Sequence, residues 1–283
     1  MVFPDIENPF YARIIAGAEE VLQNAGYSLL LANYGEDSER EHLQLTTLRA
    51  ERVAGILFAA SGKPSADYQY CLDAGMAMVA VSRIPDGLNV DLVTVSNQEG
   101  ARRATDHLFR LGHRKIGLID GPESLSTTRE RRAGYEQALR EAGLTVSQEL
   151  IVSSDFPHHE GGYDAVTKLL KLAKRPTAIL VLTNNMGLGA LQALQERGID
   201  VPTEMAVVGF GDMASAALLR SPLTVVAQPA REIGTTSARL LLECLQDPNR
   251  QRRSIVLDTE LIVRESCGSK LAAGRQTPRT HSR

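Results

Sequence analysis

The chain has 283 residues, of which 43% are hydrophobic and 23% charged, and a formal net charge of −3. That length buries a substantial core, as one large α/β domain or two smaller ones, and the composition is that of an ordinary globular protein. With a slight acidic excess, 5% aromatics and no tryptophan, it lacks both the basic face that tracks phosphates and the rings that stack bases, which argues against nucleic-acid binding by these residues. Cys71, Cys244 and Cys267 are far apart and form no CxxC pair, which fits a reducing, cytoplasmic setting without disulfide or zinc site. No apolar run reaches membrane-spanning length, and the start carries no charged, apolar and cleavable leader, so no membrane partner is expected.

In chain order, residues 1–5 read as the end of a buried strand whose upstream half is missing. A helix follows over 10–25, opened by Asn8 and Pro9 and closed by Gly26. A strand at 27–33 and a helix at 39–50 precede the near-continuous apolar run 53–60, which suits a parallel strand buried on both faces. Helix 65–73, strands 76–82 and 92–96, and helix 99–111 continue the alternation. Past residue 144 come strand 150–153, helix 161–172, strand 177–183, helix 186–197, strands 206–210 and 223–226, helix 231–245, and a last pair of strands at 254–257 and 259–263. Alternating strands and helices predict parallel sheets with right-handed crossovers, and more than ten strands predict two sheets. From Gly268 the polar, aperiodic segment to residue 283 reads as a disordered tail.

The stretch 110–144 carries the most local information. Residues 115–120 form a short apolar strand, Gly121 and Pro122 break it, and Ser126, Thr127 and Thr128 offer hydroxyls at the start of a helix that Gly143 ends. Ligands of open α/β sheets sit outside the carboxyl ends of the strands, which is where this loop lies. Arg129, Arg131 and Arg132 crowd the first turns of the helix, against the dipole. Arg129 and Arg132 read as solvated. Arg131 reads as a ligand contact, because a guanidinium can fork onto a carboxylate, a phosphate or vicinal hydroxyls.

No catalytic residues, cofactor motif or metal ligands emerge. The sequence contains no GxSxG, HExxH, Walker lysine loop or strand-borne GxGxxG. Gly187 and Gly189 fall in a helix opening and read as close packing. His158 and His159 point to opposite sides of an extended segment with no third ligand beside them.

Seven segments in order, PDIENPFYARIIAGAEE, AERVAGILFAASG, RLGHRKIGLIDGP, STTRERRAGYEQALREAGL, RPTAILVLTNNMGLGALQALQERGIDVPTEMAVVGFGD, SPLTVVAQPAREIG and LDTELIVRESC, resemble the effector-binding region of the LacI/GalR family of bacterial transcription regulators. The resemblance runs from Phe3 to Cys267. It implies a two-lobed, type I periplasmic-binding-protein-like α/β fold, each lobe a parallel sheet flanked by helices. Residues 1–96 plus 229–249 would form the amino-terminal lobe and 97–228 plus 250–267 the carboxy-terminal lobe. A small-molecule effector (a sugar, sugar acid or sugar phosphate) would lie between the lobes of a homodimer, and operator DNA would be read only through an amino-terminal helix-turn-helix that is missing from this chain.

Residue by residue, the resemblance assigns ligand contacts to Phe10, Tyr11, Ser82, Thr127, Arg131, Phe156, Thr183, Asn184, Gly211, Asp212 and Gln228. Ser82 stands where many members carry Asp, Thr183 and Asn184 where Asn-Asp is usual, and Gly211 where the first acid of a Gly-aromatic-Asp-Asp run is usual. With Arg131 kept and those acids lost, either an anionic effector such as a sugar acid or sugar phosphate is expected, or a site that has decayed in a fragment free of selection. A solute-binding protein of a sugar transporter shares the fold and is the alternative. An enzyme is not expected, since no nucleophile and base can be paired.

Overall fold

The computed structural model describes residues 1–62, 66–155 and 157–270. Phe156, assigned above to the ligand site, Ser65 at the start of the expected third helix, and residues 271–283 of the expected tail lie outside them. The described start of that tail packs against the chain before it: Gly268 N donates to Glu265 O at 2.9 Å and Ser269 Oγ to Arg264 O at 3.2 Å.

The chain divides into two compact units. The first comprises residues 1–97, 123–129 and 228–259, and the second 98–122, 130–227 and the described residues from 260 on. The first contains β1 (Val2–Phe3), α1 (Pro9–Asn24), β2 (Ala32–Asn33), α2 (Ser38–Ala50), β3 (Gly55–Phe58), α3 (Ala66–Asp73), β4 (Ala77–Val81) and β5 (Asp91–Val95). Then follow α4 (Asn97–Arg110), β6 (Ile116–Asp120), α5 (Ser126–Glu141), β7 (Ile151–Ser153), α6 (His159–Leu170), β8 (Ala178–Val181), α7 (Asn184–Glu196), β9 (Ala206–Phe210) and β10 (Thr224–Ala227). The chain ends with α8 (Ala230–Gln246), β11 (Ser254–Leu257) and β12 (Glu260–Ile262).

Among the described residues the strands form two six-stranded sheets, ordered β11-β5-β4-β3-β1-β2 and β12-β10-β9-β8-β6-β7. The ladders are parallel except that β12 runs antiparallel to β10. Strand periodicity sorts side chains to the two faces. Val79 and Val81 of β4 join the core under α1 and α8, while Met78 and Ala80 join the core under α2 and α3. In β8, Ile179 and Val181 pack toward α6 and α7, and Ala178 and Leu180 toward α4 and α5. Fully burying each such valine, leucine or isoleucine is worth about 1.5–3 kcal/mol.

Three sequence expectations need correction. The strand expected over 27–33 forms only at Ala32–Asn33, paired to Val2 and Phe3, because a ladder extends no further than its neighbour and β1 is two residues long. Leu30 and Leu31 are left 52% and 44% exposed. Likewise, the return to the second unit expected at Arg250 comes too early. β11 pairs residue for residue with β5, Ser254 with Leu92 through to Leu257 with Val95, and the crossing falls between Thr259 and Glu260. The segment 123–129, expected in the carboxy-terminal lobe, groups with the first unit.

The helices covering each sheet approach one another closely. A Cβ on Gly234 of α8 would lie 2.0 Å from Ile14 O of α1, and one on Gly189 of α7 would lie 1.9 Å from His159 O of α6. Gly189 is thus a packing glycine, as its helical position suggested.

Candidate functional site

Parallel strands end together on one edge of a sheet, and the loops leaving that edge collect side chains from distant parts of the sequence. In the first unit the carboxyl edge gathers Tyr11, Glu36, Ser82 and Arg83. Asn8 starts α1 by accepting a hydrogen bond at Oδ1 from Phe10 N at 3.0 Å, which sets Phe10 and Tyr11 on the first turn. Tyr11 stacks on Phe3, with centroids 5.3 Å apart, and meets Phe10 edge-on at 5.2 Å.

The Arg83 guanidinium, directly after β4, forks onto Glu36 at 3.0 and 2.7 Å and donates to Tyr11 Oη at 3.1 and 2.7 Å. Both side chains of the ion pair are only 8% exposed. Burial alone would lower the Arg83 pKa, but the Glu36 carboxylate together with Tyr11 and Tyr34 outweighs it and holds the guanidinium well above its ordinary value. Tyr34, buried behind this group, donates to Ala59 O at 2.7 Å, and burial pushes its phenol well above the usual value.

Two non-glycine residues here have left-handed backbones, Glu36 at φ +58 and Ser82 at φ +67. Such conformations cost on the order of 1–3 kcal/mol and cluster at ligand clamps. Here they turn the chain so that Glu36 and Arg83 meet.

In the second unit the carboxyl edge brings Arg131, Thr183 and Asn184 together. Arg131 is buried, its guanidinium 3.8 Å over the Phe210 ring, and it donates to Leu182 O at 2.7 Å. Thr183 caps α7 by accepting at Oγ1 from Met186 N at 3.3 Å, and Asn184 beside it is buried. Thr127, on the first turn of α5, is buried too.

Arg132 was expected in solvent; instead its Nε lies 3.0 Å from Oδ2 of Asp120, a fully buried carboxylate at the end of β6. A buried carboxylate demands a cation, and the helix supplies it one residue after Arg131. Arg129, expected in solvent, is partly exposed and makes a surface pair with Asp86 at 2.6 Å.

Gly211 follows β9 at φ +98, with its N–H on Val226 O. Asp212 is held by the Arg264 fork, both contacts at 3.0 Å. At Gln228 the side-chain nitrogen is buried without a hydrogen-bond partner among the described residues. Sequence reasoning missed Glu36, Arg83, Asp120 and the pairing of Arg132. A signal existed, for each follows or ends a strand at the carboxyl edge, the same rule that singled out the loop before α5. Among the described residues no cluster of metal-ligating side chains is found.

Residues 105–267 match the family model of a periplasmic binding protein-like domain. The ribose operon repressor of Haemophilus influenzae is 33% identical over 92% of this chain and 77% of its own length. The repressor CytR of Escherichia coli is 33% identical over 94% of this chain and 78% of its own. The chain belongs to the LacI family of transcriptional regulators. Within that family, the structure of a putative ribose operon repressor from Burkholderia thailandensis shares 34% identity, with a TM-score of 0.85 over 92% of this chain and 97% of that one. A LacI-family regulator from Enterococcus faecium with bound ribose shares 27%, with a TM-score of 0.83 over 94% and 97%. These relatives are repressors, so the chain is the effector-binding region of a LacI-type regulator rather than a transporter's solute-binding protein.

Proposed function

We propose that the effector is a neutral, ribose-like sugar, bound through Phe10, Tyr11, Arg83 and Gln228 of the first unit and Arg131, Thr183 and Asn184 of the second. The observation that carries this reading is charge compensation at the two carboxyl edges. Arg83 is matched by Glu36, Arg132 by Asp120 and Arg264 by Asp212. Guanidinium and carboxylate side by side serve a sugar well, the first donating to hydroxyl oxygens and the second accepting from hydroxyl hydrogens. Phe10 and Tyr11 offer apolar surface for the sugar ring, in keeping with pockets that combine apolar lining with a few placed polar groups. The bound ribose of the Enterococcus faecium structure and the ribose operon repressors among the relatives agree with this class.

An anionic sugar is the second reading, favoured by Ser82 and Gly211 standing where the family resemblance places aspartates. Glu36 and Asp120, carboxylates at the same edges, weigh against it. A thermal-shift titration of the chain with D-ribose, ribose 5-phosphate and gluconate separates the two, since a ligand of the native state raises stability by mass action. The neutral reading expects the largest shift with ribose and its loss in Arg131→Met. A shift with the phosphate or the acid alone overturns it.

The regulator acts through linkage: the effector shifts an equilibrium only as far as it binds one state better than the other, and operator affinity follows that state. We assign the same role to this chain in the cytoplasm, as a homodimer with operator DNA as the second partner, by its kinship with the repressors. Analytical ultracentrifugation showing a monomer at micromolar concentration would remove the dimer from this proposal. Binding, not catalysis, is the function assigned.

A further inference from the structure

The amino edge of the first sheet carries a recess of about 550 Å³ between the last turn of α3, the start of β4, the chain before β5 and the end of α8. That volume falls within the range of small-molecule sites. Its apolar wall is made by Leu72, Met76, Leu245 and Pro248. Arg252, Asn89 and Asp73 supply the polar groups. The recess is not part of the effector-binding set: Met76 and Ala77 lead into β4, whereas Ser82 and Arg83 leave it, and a five-residue strand is roughly 17 Å long.

Arg252 is distinguished by what its neighbours have already done with the nearest carboxylate. Asp91, fully buried at the start of β5, accepts from Arg250 at both oxygens (3.0 and 2.8 Å), from the Cys244 thiol at 3.0 Å and from Arg253 N at 2.7 Å. Four donors fill the roughly four acceptor sites of a carboxylate. Arg252 therefore approaches Asp91 no closer than 3.8 Å, and its other contact there is Cys244 Sγ, also at 3.8 Å. Arg253 is paired separately with Glu243. A half-buried guanidinium with a planar fork of donors is thus held at the recess while its neighbours consume the local negative charge. Asp73 is the opposing charge, with its Oδ1 tied to Gln69 Nε2 at 2.8 Å. Arg252 and Asp73 both line the recess, and beside the Asp73 carboxylate a ligand with a single negative charge is repelled less than a dianion such as phosphate.

We propose that this recess is a second small-molecule site, for an organic monocarboxylate whose oxygens fork onto Arg252 and whose apolar body lies on Leu72, Met76, Leu245 and Pro248. The site lies wholly within the first unit, so its occupant stabilises that unit whether or not the effector is bound.

The probe is hexanoate, titrated calorimetrically into the full chain at fixed ionic strength, with hexanol as the uncharged control. Saturable hexanoate binding is expected, with hexanol weaker by on the order of tenfold, the value of a charge-assisted hydrogen bond. Arg252→Gln is expected to weaken hexanoate by a similar factor. Asp73→Asn, on an exposed residue that carries no fold, is expected to tighten it by about twofold to threefold, as removal of a surface like charge does. Arg131→Met is expected to leave hexanoate binding unchanged while abolishing the ribose response, which keeps this site and the effector reading separable. No saturable heat, equal affinity for hexanol, an unchanged affinity in both Arg252→Gln and Asp73→Asn, or loss in Arg131→Met would each overturn the proposal.

Discussion

The two units each present a buried arginine at the carboxyl edge of a parallel sheet, and they hold it by different means. Arg83 is clamped by a carboxylate and a phenol, Glu36 and Tyr11, in a neutral group that is complete without ligand. Arg131 lies over the face of Phe210 and donates to the carbonyl of Leu182. An ion pair and a ring face are both means of keeping a guanidinium buried, the first through opposite charge and the second through the quadrupole of the ring. The first arrangement is therefore expected to be the more sensitive to loss of its counter-charge.

The largest expected effect comes from breaking the clamp. Glu36→Gln leaves a buried guanidinium without its carboxylate and is expected to cost about 3–5 kcal/mol in urea unfolding. The double variant Glu36→Gln with Arg83→Met should recover much of it; a single-variant loss below about 1 kcal/mol would show that the pair is not what holds this edge.

On the other side of the comparison, Arg131→Met, which loses the cation over the ring and the hydrogen bond to Leu182 O, is expected to cost about 1–3 kcal/mol, while removing the thermal shift with ribose. A stability loss as large as that of Glu36→Gln would erase the distinction between the two edges.

The packing glycines predict equality instead. Gly234→Ala in the first unit and Gly189→Ala in the second each push a methyl into a carbonyl of the adjoining helix, at 2.0 and 1.9 Å. Each is expected to cost about 1–3 kcal/mol, the usual cost of overpacking, and thermal unfolding of the two variants should show drops of similar size.

The smallest effects separate two buried cysteines by sign. Burial pushes the Cys244 thiol up, aided by its hydrogen bond to Asp91, to about 11. Burial opposes ionisation of Cys267 as well, but hydrogen bonds with His107, 3.3 Å away, Thr224 and Ser269 together outweigh it and bring the thiol down from 9 to about 7. For Cys267 the folded value is depressed, so its contribution is present above pH 9 and is lost as pH falls toward 7; for Cys244 it is raised, so its contribution is present below pH 9 and is lost as pH rises toward 11. Cys267→Ser should flatten the rise in stability between pH 7 and 9, and Cys244→Ser the fall between pH 9 and 11. Parallel pH profiles for both variants and the parent chain would contradict the assignment.

Much of this was legible in the sequence. Apolar runs of strand length alternating with helical periods specify parallel strands and their covering helices, since each local period marks a face that must be buried. The break at Gly121 and Pro122 and the cationic first turn of α5 marked the edge where Arg131 sits. Local pattern did not reveal which distant residues share an edge. Glu36 and Arg83 are 47 positions apart, and their meeting depends on the order of strands in the sheet and on two left-handed residues, neither of which a period encodes. The same holds at the end of the chain, where β11 and β12 are separated by two residues, Asp258 and Thr259, yet join different sheets. Sequence alone determined the elements, their burial and the edge at which ligands belong. Tertiary structure decided the partners, because a buried charge takes whichever counter-charge the topology brings within reach.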